Sequence, residues 1–97
     1  MMECQVVVWQ DELSDSATCY AAVFPALNHA NGQGDTEEEA LVEVADSIAC
    51  FLEHIPERLK TGQEAEDEMS ELVAELVADG VGYWFRQVTP RRTTVVA

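Results

Sequence analysis

No lysine or arginine precedes Arg58, so the first half of this 97-residue chain carries acidic charge only. Five basic residues stand against 19 acidic ones, for a formal net charge of -14. A surface of that sign repels nucleic acid and favours a basic protein partner, whose approach it would steer. The alternative is that the charge only keeps the chain soluble. Cysteine is scarce as well. Cys4, Cys19 and Cys50 are odd in number, widely spaced and without a C-x-x-C pair, which argues against a disulfide framework or a zinc site. They read as small buried residues, two in strand runs and one in a helix. No apolar run approaches the roughly 18 residues of a membrane span, and the N-terminus has no basic leader-like region. A cytoplasmic protein that touches no membrane is expected.

Catalytic groups are equally thin. His29 and His54 are the only histidines, and neither belongs to a G-x-S-x-G or H-x-x-x-H pattern. They read as a partly exposed turn histidine and a helix-end histidine near the negative end of the dipole. The β-prone runs 4–9, 17–24 and 81–88 contain no Asp or Glu, so carboxylates converging on a nuclease metal pair are not expected. Gly32-Gln33-Gly34 ahead of a helix resembles a phosphate cradle, but three glutamates in the first turn would repel the phosphate. The reading is a protein that is not an enzyme and needs no cofactor or metal.

What is present is hydrophobic periodicity. The chain is 47% hydrophobic, enough for one folded domain over residues 1–97. Val6-Val7-Val8-Trp9 suits a first strand with both faces at least partly covered. Gln10 to Ser16 is turn-prone, residues 17–24 form a second strand, and Pro25, with no backbone donor, stops it. Residues 29–33 leave room for a short edge strand. Gly34-Asp35-Thr36 then marks a helix start: Asp35 or Thr36 serves as N-cap, and Thr36-x-x-Glu39 has capping-box spacing. Glu37, Glu38 and Glu39 complement the positive end of the helix dipole. Leu41, Val44, Ala45, Ile48, Leu52 and Ile55 make one apolar stripe, with Glu43, Asp46 and Glu53 facing away. Ile55-Pro56 ends or kinks this helix, and Gly62 reads as a stop. A polar connector follows, then a second helix over about 65–78 and a last strand over about 81–88 that ends before Pro90. The tail from Arg91 adds a short strand, on this chain or a neighbouring subunit, or it frays.

The stretch from residue 20 to 52 organises the rest, and it resembles a known family. A strand ending in Ala22-x-x-Pro25-x-Leu27, a turn, and then Gly34-Asp35-Thr36-x-Glu38-Glu39-Ala40-Leu41 opening an amphipathic helix is similar to the N-terminal domain of HicB-family antitoxins. The likeness runs from about Gln5 to Leu52, and the family often has a Gly followed by a Cys at Asn28 and His29. The resemblance implies a partial ribonuclease H-like β-β-β-α-β arrangement; with the second helix read from the residues, the expectation is an α+β fold with a small mixed or antiparallel sheet, element order β-β-β-α-α-β, and two helices on one face. It also implies a partner: a small basic toxin of the HicA kind, with a double-stranded-RNA-binding-like fold, that cleaves messenger RNA with a histidine and is neutralised by docking.

Candidate partner contacts are the outward carboxylates Glu37, Glu38, Glu43 and Asp46 together with Trp84, which strand alternation sends to the face opposite Tyr83 and Phe85. Pro25, Gly34, Asp35, Thr36 and Glu39 are the structural motif. Family members commonly add a DNA-binding segment, but the second helix here is acidic and DNA contact is not expected. Arg86, Arg91 and Arg92 instead suit acids of this chain or of a dimer mate. The rival to the antitoxin reading is a stand-alone structural or regulatory module that self-associates as a homodimer or higher oligomer.

Overall fold

In a computed structural model of the protein, residues 2–12 and 18–92 are described, and the tail 93–97 and most of the first loop lie outside them. The elements are β1 (Cys4–Glu12), β2 (Thr18–Phe24), β3 (Ala30–Gly34), α1 (Glu37–His54), a single 3-10 turn (Pro56–Arg58), α2 (Gly62–Ala78) and β4 (Tyr83–Val88). All pairings are antiparallel, in the order β3-β2-β1-β4. The α+β class and the β-β-β-α-α-β order are those the sequence implied. Among the described residues no helix is long and apolar enough to cross a membrane.

Alternation along β1 divides the sheet into two faces. Cys4, Val6 and Val8, with Ala22 and Phe24 of β2, Ala30 of β3 and Val88 of β4, form the floor of the main core, and Ala40, Val44, Ala45 and Ile48 of α1 close it. Gly32 lets α1 come close: a Cβ at that position would lie 2.3 Å from the Val44 backbone nitrogen. Gly32 and Gly34 therefore make room for the close approach of α1.

The second face is also closed. Val7 and Ala21 point away from α1, yet they are 0% and 4% exposed, and together with Leu76 of α2 (7%) they stand outside the main core cluster. Gln5, on this same face, lines a groove with Met69 and Ser70 of α2. The half-buried stripe of α2 is Ala65, Met69, Leu72, Val73 and Leu76, and Ala65 packs against the main core.

Boundaries follow local chemistry. Pro25 is buried and β2 stops at Phe24, as its missing donor requires. The turn that follows places Asn28 and His29 in the left-handed region, at φ +52 and +51, and the Ala30 amide closes it on the Leu27 carbonyl at 3.0 Å. Gly62 does not stop a helix. It opens α2 with φ +59, so the polar run taken for a connector forms its first turns, with Ala65 alone of residues 62–67 turned toward the core. At the other end Gly80, φ +72, completes a Schellman cap: its amide donates to the Val77 carbonyl at 3.1 Å and that of Val81 to the Leu76 carbonyl at 2.9 Å. The last strand is two residues shorter than expected because Val81 is engaged in that cap.

Thr36 is the N-cap of α1. Its hydroxyl accepts from the Glu39 amide at 3.1 Å, and the Glu39 carboxylate reaches back to the Asp35 amide at 2.9 Å. Thr36→Ala should cost about 1 kcal/mol. In a chain of this size that lowers the melting temperature by about 4–8 °C, with Thr36→Ser retaining most of it. A thermal melt unmoved by the alanine would show that the cap contributes nothing.

Candidate interaction surface

The acidic side of α1 does not behave as one solvated face. Glu37 turns toward β4, where its carboxylate accepts from the Trp84 indole N–H at 3.0 Å and from Arg86 Nε–H at 2.7 Å. Trp84 is half-buried against the main core and stacks edge-on against Tyr20, ring centroids 6.3 Å apart. Asp46 and Glu53, one helical row apart, hold Arg92 at 3.2 and 2.7 Å, and the Arg91 amide donates to the Ala45 carbonyl at 3.1 Å. The segment after β4 is therefore strapped along α1. Exposed ion pairs of this kind contribute little to stability, so their effect is on position more than on stability.

Two sequence-derived contacts are left open. Glu38 and Glu43 are exposed and form no ion pair among the described residues. Between them Val42 is 48% exposed. On one side of Val42 a shallow groove runs over Leu41, Ala45, Gln87 and Val88, and on the other a polar groove is lined by Gln33, Thr36 and Glu39. The surface thus offers an apolar centre with unpaired negative charge around it. Sequence reasoning chose Glu38 and Glu43 but missed Val42, although its absence from the apolar stripe was the clue. The exposed ring of β4 is Phe85, on the opposite face from Trp84 and in edge contact with Tyr83.

A second depression gathers Asn28, His29, Arg58, Lys60, Thr61 and Glu64. Lys60 is paired from α2: Glu68 accepts a hydrogen bond from it and lies 3.5 Å from His29 Nε2. The Lys60 ammonium holds the Glu68 carboxyl below the ordinary glutamate range, and the same bond raises Lys60. Whatever stability this pair contributes is present above the ordinary glutamate pKa and is lost as the pH falls through the lowered one. Pro25 lines this depression, and the Lys60 amide donates to the Ala26 carbonyl at 2.8 Å, so the cluster pins the start of α2 to the β2–β3 turn.

His54 Nδ1 lies 2.9 Å from the Cys50 carbonyl, an intrahelical contact. Burial pushes the Cys4 thiol above its ordinary value, which leaves it a poor nucleophile. Among the described residues no three of His, Cys, Asp and Glu converge as a metal site would require. Comparison of the chain with protein-family models, curated proteins and solved structures found no match.

Proposed function

We propose that this chain is a HicB-like antitoxin, or a non-catalytic protein-binding module derived from one, that acts in the cytoplasm by docking on a small basic partner. The observation that carries the reading is the Glu38-Val42-Glu43 patch: two carboxylates without ion pairs among the described residues flank an exposed valine on a helix whose start has the Gly34-Asp35-Thr36 signature of the resemblance. Asn28 and His29 support it, because both take the left-handed backbone that a glycine at the first of these positions, common in the family, would adopt most readily. The acidic body supplies long-range attraction, and Val42 with its groove supplies a dry contact. DNA is not the partner in this reading, since Arg86 and Arg92 are committed to Glu37 and to Asp46 and Glu53.

Affinity co-purification from native cell extract, at low and at high salt, tests the proposal. A small basic protein retained at low salt and released at high salt is expected. The double reversal Glu38→Lys with Glu43→Lys should weaken its binding by about tenfold, mainly through the on-rate. Recovery of this chain without any basic companion would overturn the antitoxin reading.

A further inference from the structure

The sheet has two outer edges among the described residues, and they differ in what surrounds them. β3 is already occupied from above: the Ser47 hydroxyl of α1 donates to the Asn31 carbonyl at 2.8 Å, and the α1 backbone sits against Gly32. Glu39 and Glu43 lie along that edge without a basic counterpart. β4 is the opposite case. No acidic residue follows Asp79, and the one charged residue of β4, Arg86, is balanced at home by Glu37; beyond the strand Arg92 is held by Asp46 and Glu53, and Arg91 is exposed with no ion pair among the described residues. No described strand pairs with its outer side, and Phe85 stands 39% exposed with its ring 5.7 Å from that of Tyr83.

We propose that β4 is the self-association edge of this protein and that its occupant is a second copy of the chain. Two β4 strands pair antiparallel across a two-fold axis, joining two four-stranded sheets into one, with the Tyr83 and Phe85 rings of both copies along the seam. Charge selects both the place and the occupant. Two chains that each carry -14 repel over most of their surface, and the contact forms where repulsion is least. A strongly charged foreign partner gains nothing at an edge whose charges are already balanced, whereas a second copy loses nothing there. Antiparallel pairing of a strand with itself is self-complementary, so one edge meets the needs of both copies. An open edge carrying aromatic rings is otherwise a liability toward aggregation, and closing it by a two-fold removes that liability. The patch proposed for a basic partner lies on α1 and is not part of this edge, so the two readings stand or fall separately.

Sedimentation equilibrium of the full chain should give twice the 10.7 kDa chain mass at high concentration and dissociation on dilution. Phe85→Glu sets a carboxylate on each side of the seam and should weaken the dimer by about a hundredfold or more. Val77→Glu, at an exposed position of α2, should leave the dimer intact. Amide exchange on the unmodified chain gives an independent readout: dilution should speed exchange at 83–88 and leave 30–34 unchanged. A monomer at every concentration, a Phe85→Glu variant as dimeric as the parent, or concentration-dependent protection at β3 in place of β4 would each overturn the proposal. If Phe85→Glu fails to fold, the exchange pattern decides alone.

Discussion

Gly32→Ala should destabilise this protein more than the addition of one methyl group at any other glycine in it. A Cβ there would stand 2.3 Å from the Val44 nitrogen, 2.6 Å from the Ala40 carbonyl oxygen and 2.8 Å from the Glu43 carbonyl carbon. All three are backbone atoms of α1, so no side chain can rotate out of the way. The helix must lift off β3, and Val44 and Ile48, both fully buried, lose their contacts with the floor of the core. Overpacking ordinarily costs about 1–3 kcal/mol, and a clash with an entire helix belongs at or beyond the upper end, about 3 kcal/mol or more. Thermal denaturation should show the midpoint lowered by roughly 12 °C or more. Gly82→Ala is the control. Nothing lies within 4 Å of a Cβ there, and the change should stay within about 0.5 kcal/mol. Matching melts for the two variants would mean that α1 does not rest on β3 at this distance.

Leu76→Ala should cost about 2–4 kcal/mol, while Val77→Ala, one residue on and 61% exposed, should cost almost nothing. The contrast tests which face α2 covers. Leu76 and Val7 are buried outside the main core, and if α2 closes the second face of the sheet the two side chains share one apolar layer. A double-mutant cycle of Leu76→Ala with Val7→Ala should then give a coupling of about 0.5 kcal/mol or more. Strict additivity in denaturant titrations would place α2 elsewhere and favour the one-face arrangement.

The parts legible in the sequence were those written in local chemistry. Pro25 ended its strand, Thr36 and Glu39 formed their box, and Asp79-Gly80 closed α2, because each depends on hydrogen bonds within a few residues. What was misread depends on partners distant in sequence. Which face α2 covers depends on residues as far apart as Val7 and Leu76, 69 positions along the chain, and nothing near either residue encodes it. Gly32 looked like one end of a phosphate-cradle-like run because the helix backbone it accommodates begins only later in the chain. Glu37 and Asp46 looked like open carboxylates until Arg86 and Arg92, which follow them by 49 and 46 positions, proved to be their counter-charges. Helix periodicity states which residues face outward, and only the tertiary arrangement shows what comes to meet them.

The pairing of β1 with β4 sets the order in which this chain can be completed. Cys4 is matched with Val88, so the first strand waits for the last. During synthesis, β1, β2, β3 and α1 can assemble once residue 54 has emerged, but one side of β1 then lacks its neighbour and α2 is not yet made. Until the final strand is released, a run of three valines is held in a sheet with an unfinished central strand. Such long-range pairing slows folding and leaves a nascent chain open to mispairing with its neighbours. The dense negative charge of the same segment offers a countermeasure, because partly made copies on adjacent ribosomes repel one another while they wait.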